Sequence, residues 1–443
     1  MRAETFDMPY LVVIVTLDRH AVGPVLHARD ALMKAHPHLD IAIHAAAEWA
    51  EEPEALARAK DDVARANIVI STLLFLEDHV QAILPDLQAR RLNCDCMVGL
   101  VADHAIVKLT RMGSLDMGKP ESTVMSLLKK LRGGGKKKAP GAKQMRMLRR
   151  LPKILRLIPG KAQDLRAWFL CMQYWLGGSN DNMEQMVRFL LGRYATEEGF
   201  SGITAKDPVE YPDVGVYHPD LPGHHLATNA SLLPAQNAPV ATIGILLLRS
   251  YLLSGDTAHY DEVIRRFEAH NVKVIPAFAS GLDGRPAIEE FFEGKVDVIL
   301  SLTGFSLVGG PAYNDSDAAV DMLARLDVPY MAAQPLEFQT LDQWANDRKG
   351  LGPIETTMLV ALPEIDGATN PTVFAGRHGG QGCQGCAHQC QPAAQAHAMA
   401  PCFERVGHLV EKVTRMAHLR HLANKDKKIA IVLFGFPPNA GAA

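Results

Sequence analysis

The sequence predicts a multi-domain α/β protein that opens on a doubly wound parallel sheet. Three observations lead there. The first 110 residues alternate short β-branched runs with helical periods. That alternation is interrupted by a strongly basic stretch and resumes from residue 240. A chain of 443 residues also has room for two to four domains of roughly 100–200 residues each. With 48% hydrophobic and 21% charged residues the chain is globular in composition, which excludes disorder, a coiled coil or a collagen-like fibre as its main state.

In order along the first domain (1–128), residues 11–17 form a continuous apolar run suited to a strand buried on both faces. A helix over 20–36, a short strand over 41–44 and a helix over 54–66 come next. A third strand covers 68–72, another helix 78–90 and a fourth strand 96–101. Ligands of such sheets bind at the carboxyl ends of the strands. Here those ends carry Asp18, Arg19 and His20, then His44, then Ser71 and Thr72, then Asp103 and His104.

A helical, basic middle segment (129–206) continues the chain. Between residues 129 and 166 there are fourteen Lys or Arg and one acid, Asp164, giving +13 inside a chain whose net charge is −3. The segment starts with a Gly-Gly-Gly-Lys-Lys-Lys joint and continues with apolar and basic residues mixed at helical spacing. Aromatic residues for base stacking are missing from it, which argues against nucleic acid. A Leu/Ile plus Lys/Arg helix suits an anionic membrane surface, while a solvated helix lying on the protein's own acidic domains is the plainer reading. One or two helices are expected over 168–194, broken at Gly177-Gly178-Ser179-Asn180, and 207–239 reads as an irregular crossing.

The second α/β region (240–377) is expected to hold strands at 242–248, 272–278, 296–300 and 328–332. Helices at 259–270, 287–293 and 317–326 alternate with them, and 303–314 is a Gly-rich loop. A Cys-rich loop (378–402) separates this region from a helix at 403–422 and a last strand at 429–434. That strand and its Pro-Pro-Asn-Ala-Gly turn look like the start of a further α/β unit (403–443), so a truncated product is the expectation. The longest apolar stretches, 11–17 and 242–253, fall short of the roughly 20 residues that span a bilayer. No signal segment opens the chain. A cytoplasmic protein is expected.

Two Gly motifs need weighing. Gly113, Gly118 and Lys119 sit at P-loop spacing, but Pro120 stands where a Mg²⁺-binding hydroxyl and a helix N-terminus are needed. A surface loop fits better. Residues 380–385 match the dinucleotide fingerprint by letter, yet cysteines interleave it and no apolar helix comes at once after it. Histidines 224, 225, 408, 418 and 421 read as surface or core residues, although 418 and 421 share a helical face.

Of seven cysteines, Cys94, Cys96 and Cys171 read as structural thiols. Cys383, Cys386, Cys390 and Cys402 crowd into twenty residues beside His378 and His388. Four converging thiolates bind an iron–sulfur cluster or Zn²⁺, and a Gly/Gln-rich loop lets the backbone wrap a small centre. Iron–sulfur is favoured over zinc because the histidines are not at zinc-finger spacing. The alternative is a loop of reduced, unliganded thiols.

Three blocks carry a family resemblance: KLRGGGKKK with LPKILRLIPGKAQDLRAWFLCMQYWLGGSNDNMEQMVRFLLGRYA, GFSLVGGPAYNDSDAAVDMLARLDVPYMAAQPLEFQTLDQW, and LPEIDGATNPTVFAGRH. They resemble the large porphyrin-binding H subunits of magnesium chelatases, with the CQGCAHQC loop similar to the bacteriochlorophyll branch. The large subunit of aerobic cobaltochelatase is a more distant likeness. The resemblance implies ATP-dependent insertion of Mg²⁺ into protoporphyrin IX in (bacterio)chlorophyll synthesis. It also implies two partner subunits, one an ATP-hydrolysing ring, which agrees with the lack of a sound P-loop here. A porphyrin-binding or regulatory module without turnover, and an iron–sulfur redox protein, are the alternatives.

Overall fold

A computed structural model describes residues 9–17, 19–49, 52–119, 151–223, 225–310, 313–379 and 398–432. The chain divides into two compact units. One takes the residues up to Asp213 and returns for Leu248–Thr257, and the other takes Val214–Leu247 and most residues beyond Thr257.

In the first unit, β1 (Tyr10–Thr16) is buried at every residue, as a central strand covered on both faces must be. Tyr10, Val12 and Ile14 face one apolar core, and Leu11, Val13 and Val15 face another. Helix α1 (Val22–Ala35) covers the first face with Val25, Ala28 and Leu32, then leads to β2 (Leu39–Ala45), parallel to β1. Helix α2 (Pro53–Arg65) covers the opposite face with Ala55, Ala59 and Val63 and crosses to β3 (Ile68–Thr72) on the other side of β1. Helix α3 (Glu77–Arg90) leads on to β4 (Cys96–Leu100), and α4 (His104–Lys108) to the short hairpin β5 (Arg111–Met112) and β6 (Leu115–Asp116). The sheet order is β2-β1-β3-β4-β5-β6, so the direction of winding reverses between β1 and β3.

The expected break at residues 177–180 divides α5 (Lys161–Gly177) from α6 (Asn180–Tyr194). Gly178 closes α5 at φ +57°, a left-handed position that suits glycine. The Ser179 hydroxyl then accepts the Asn182 N–H at 3.2 Å and opens α6. Trp168, Phe169, Met186 and Leu190 pack into the same core as α1. Each such fully buried side chain contributes on the order of 1.5–3 kcal/mol. Residues 161–194 are therefore part of the first unit rather than a separate middle segment. Residues 120–150, most of the basic stretch, lie outside the described residues.

The near-match to a P-loop is the β5–β6 hairpin turn. Ser114 donates its N–H (2.8 Å) and hydroxyl (2.7 Å) to Asp164, the lone acid of the basic segment. Asp164 also accepts from Arg193 (3.0 Å) and Tyr194 (2.9 Å). Burial alone would raise its pKa, but these hydrogen bonds outweigh it and the net shift is downward.

The second unit has an eight-stranded sheet in the order β16-β15-β14-β11-β9-β10-β7-β8. Its strands are β7 (Val214–Tyr217), β8 (Leu226–Ala227), β9 (Thr242–Leu248), β10 (Lys273–Ala279), β11 (Val298–Ser301), β14 (Tyr330–Leu336), β15 (Thr369–Gly376) and β16 (Ala400–Pro401). A separate two-stranded hairpin pairs β12 (Gly309–Gly310) with β13 (Tyr313–Asn314). Strands β9, β11, β14 and β15 are parallel, while β7, β8 and β16 add antiparallel edges. Short β7 and β8 sit inside the stretch read as an irregular crossing; four- and two-residue strands carry too little alternation to be seen in sequence.

Two expectations fail at the far end. The helix at Phe403–His421 presents Val406, Leu409, Val410, Val413 and Ala417 at helical spacing and packs on β15 and β11, so it belongs to the second unit rather than to a further one. Residues 429–432 form no strand, and Ile429, Ile431 and Val432 are more than four-fifths exposed. A β-branched run becomes a strand only when another strand takes up its N–H and C=O groups, and none of the described residues does. Among the described residues no helix is long and apolar enough to cross a membrane.

Candidate functional site

At the carboxyl end of the first sheet the structure separates the expected residues into those already employed and those left over. Asp18 lies outside the described residues. Arg19 donates to the Ala47 carbonyl at 3.4 Å, and the His20 ring meets Tyr251 edge-on at 4.2 Å. His44 Nε2 lies 2.9 Å from Asp62; burial lowers its pKa despite that partner. Asp103 accepts the Ala105 N–H at 2.7 Å and so caps α4. His104 lines an open groove of about 490 Å³ with Arg91 and Lys108. Ser71 and Thr72 are buried at the end of β3. Trp49 and His79, in edge-on contact at 5.9 Å, are not among the residues that the strand ends single out in sequence. Trp49 comes soon after β2, so the rule that ligands sit beyond strand ends finds it once the loop is read a few residues further.

The second sheet's carboxyl end is built differently. After β14, the backbone N–H groups of Glu337, Phe338 and Gln339 all donate to one oxygen of Glu355, at 3.2, 3.0 and 3.2 Å. Glu355 sits in α7 (Pro353–Glu355), just before a π-helical stretch at Thr356–Ala361. Burial raises its pKa even against those three donors. Arg377 pairs with Glu337 at 3.4 Å, and Gly379 N–H donates to Asp342 at 2.8 Å. His378 Nδ1 lies 3.9 Å from Asp342, while its Nε2 is buried without a hydrogen-bond partner among the described residues. Asp366 lies apart from these, on the amino side of β15; it accepts the Leu307 N–H at 2.7 Å, and burial raises its pKa too. Gly304, at φ +70°, has room for no side chain: a Cβ there would stand 3.2–3.3 Å from Leu359 and Pro335. A buried carboxyl with raised pKa, Glu355, in the same loop region as the His378–Asp342 pair makes this end of the sheet able to accept and hand on protons. Of these residues the sequence singles out His378 alone, because buried carboxylates spaced through three loops leave no local motif.

Cys383, Cys386, Cys390 and His388 lie outside the described residues, as do His224 and the Gly positions of the fingerprint at 380–385. Cys402 is buried at the start of the helix Phe403–His421, beside Leu336, Leu341 and Val373. Among the described residues no group of three or more metal-ligating side chains converges. His421 is paired with Asp297 at 3.0 Å.

Comparison with known proteins now decides the family. Residues 172–443 match the family described as CobN/Magnesium Chelatase, and residues 11–169 match a domain of unknown function (DUF3479). The chain is 63% identical over 98% of its length to the magnesium-chelatase H subunit of Rhodobacter capsulatus, covering 37% of that protein. It is 58% identical, over the same share of both chains, to the H subunit of Cereibacter sphaeroides. Against the chloroplastic magnesium-chelatase ChlH of Oryza sativa it is 36% identical, over 86% of this chain and 28% of that one. The chain belongs to the CobN/magnesium chelatase family.

The fold agrees. The catalytic subunit of cobaltochelatase from Mycobacterium tuberculosis superposes with a TM-score of 0.54 over 94% of this chain and 28% of its own, at 17% identity. This chelatase-family chain spans about 37% of the length of the two bacterial relatives. The two blocks of sequence resemblance that fall in the second unit supply Glu337 and Asp342 from one and Arg377 and His378 from the other, and these pair beyond the carboxyl ends of β14 and β15.

Proposed function

We propose that these residues serve as part of the porphyrin-binding H subunit of a magnesium chelatase. The reaction is ATP-dependent insertion of Mg²⁺ into protoporphyrin IX, in (bacterio)chlorophyll biosynthesis. Two partner subunits take part, one of them an ATP-hydrolysing ring. The observation that carries this reading is 63% identity across 98% of the chain to a protein named as a magnesium-chelatase H subunit. Mg²⁺ releases its water ligands reluctantly and prefers oxygen donors. Seating it on four pyrrole nitrogens requires desolvation and the removal of two pyrrole protons, a task for groups such as Glu355 and His378. The subunit works in the cytoplasm, with peripheral attachment to membrane through its basic segment.

Because the chain spans 37% of its bacterial relatives, we assign it binding rather than complete turnover. The test mixes the 443-residue chain with both partner subunits, ATP, Mg²⁺ and protoporphyrin IX, and monitors Mg-protoporphyrin fluorescence. Porphyrin binding without product formation is expected. Product at the rate of a complete H subunit overturns the assignment, and no porphyrin binding at all overturns the reading.

A further inference from the structure

Four polar atoms around the carboxyl end of β3 are buried without a hydrogen-bond partner among the described residues: Ser71 Oγ, Thr72 Oγ1, Trp49 Nε1 and His79 Nδ1. Ser71 and Thr72 are only 2% and 0% exposed. Folded proteins rarely leave such groups unsatisfied, and each one costs stability while it stays so. Ser71, Trp49 and His79 belong to the face that α2 and α3 cover and Thr72 to the opposite face, and they fall where ligands of this topology sit. The sheet reverses its winding between β1 and β3, with Thr16 in register beside Thr72.

The backbone there is strained as well. Leu73 and Val101 come directly after β3 and β4 at φ +54° and +41°, in a region that residues other than glycine rarely enter, β-branched ones such as Val101 least of all. The Leu73 N–H donates to the Val101 carbonyl at 3.0 Å, so the two strained residues hold each other. Immediately beyond, Phe75 and Leu76 are more than half exposed.

We propose that this strand end is a binding site for an oxyanion, either the carboxylate of a porphyrin or a free phosphate. The chemistry of the unused atoms sets the class. An indole N–H can only donate, so the occupant must bring an acceptor; the Ser71 hydroxyl, on the same face of the sheet as Val69 and Trp49, can donate to it too, whereas Thr72, the next residue of the strand, faces the other core. The acid on the loop after β4, Asp103, is engaged with Ala105. Exposed Phe75 and Leu76 give an apolar rim against which the body of a planar ligand can lie. The porphyrin source rests on the function proposed above, and the phosphate source does not.

The test measures thermal stability and affinity of the 443-residue chain and of Ser71→Ala, Thr72→Val and Trp49→Phe. Probes are protoporphyrin IX, its dimethyl ester and inorganic phosphate. Without ligand, Ser71→Ala and Thr72→Val should melt no lower than the parent, since each removes an unpartnered hydroxyl. With ligand, Ser71→Ala and Trp49→Phe should each lose affinity about tenfold, the worth of roughly one hydrogen bond, while Thr72→Val, on the opposite face, should keep it. If the free porphyrin acid binds, the ester does not and Ser71→Ala and Trp49→Phe lose binding, the carboxylate source is supported. If phosphate alone stabilises the parent and these two variants lose that effect, the site stands with phosphate as its occupant. If porphyrin binds equally to parent and variants, porphyrin binding survives and this site is overturned. Variants that melt lower with unchanged affinities point to a buried water in the crevice, and that also overturns it.

Discussion

The two sheets share a winding pattern but spend their polar groups in opposite ways. In the first, β2-β1-β3-β4 carries hydroxyls at its carboxyl edge that nothing among the described residues satisfies, with strained backbone around them. In the second, the carboxyl edge around β14 and β15 carries carboxylates, and backbone N–H groups hold them: three on Glu355 and one on Asp342. An edge of unsatisfied donors is arranged for something that arrives. An edge whose acids are already cradled, yet where burial keeps Glu355 at raised pKa, is arranged to exchange protons. The same topology thus offers two kinds of chemistry, and only side-chain placement tells them apart.

The sharpest way to break this comparison is to compare one carboxylate from each unit across pH. Asp164 in the first unit accepts four hydrogen bonds, so Asp164→Asn should cost about 3 kcal/mol, since it turns an amide N–H₂ towards donors and strands Arg193. Its pKa is held below the ordinary 3.8, so its contribution is present above that value and is lost as pH falls through the folded pKa. The penalty of Asp164→Asn should therefore shrink in acid. A constant penalty from about pH 7 to about pH 3, read by denaturant unfolding, removes the electrostatic account.

Glu355 should behave in the opposite sense. Its folded pKa lies above the ordinary 4.5, so the stability it contributes is complete below 4.5 and is lost as pH rises through the folded value. Glu355→Gln keeps an oxygen for the three N–H groups and removes the charge. It should match or exceed the parent at about pH 7 and show no advantage at about pH 4. Hydrogen exchange at residues 337–339 is the local readout. A variant that opens those amides at neutral pH shows that the ionised carboxylate was holding the turn.

These contrasts also mark how far the sequence could be read. Elements such as Ile68–Thr72 and Thr242–Leu248 were legible to the residue, because a buried parallel strand has no polar positions to blur its ends. The α5–α6 break was legible from Gly178 and Ser179, where local chemistry alone decides. Assignment of helices to units was not, because the apolar faces of α5 and of the helix Phe403–His421 do not say which core they meet. The site was least legible. Glu355, Asp366 and Trp49 act through long-range neighbours, and a single sequence records no contact. Family membership was plain from the long blocks of residues.

A smaller effect is expected at the basic segment, where the described part turns apolar residues outward. Leu151 and Leu155 pack on the first core, whereas Ile154, Leu157 and Ile158 are 60%, 85% and 48% exposed among Lys153, Arg156 and Lys161. Gln163 donates to the Leu155 (2.9 Å) and Ile158 (2.5 Å) carbonyls and holds the turn in that pose. Binding to anionic vesicles at low salt is expected, weakening by about 1 kcal/mol for each basic residue replaced and screened as salt rises. Sedimentation with neutral and anionic vesicles measures it. Equal binding to both, or none at low salt, leaves the segment as a solvated helix and turn.

The smallest signal is a count of thiols, and it bears on the proposed centre at Cys383, Cys386, Cys390 and Cys402. Of seven cysteines, Cys94, Cys96, Cys171 and Cys402 are buried, and burial pushes the first three away from the thiolate form. A thiol reagent applied to the native protein should therefore find at most three fast sites, those at 383, 386 and 390. If these three hold iron or zinc, even they should be protected until a chelator removes the metal, and Cys383→Ser, Cys386→Ser or Cys390→Ser should each lower bound metal while Cys94→Ser leaves it unchanged. Three fast thiols and no metal in anaerobically purified protein would rule the centre out in this chain. A fourth fast thiol would instead locate Cys402 outside the apolar cluster of Leu336, Leu341 and Val373, and return it to the set of candidate ligands.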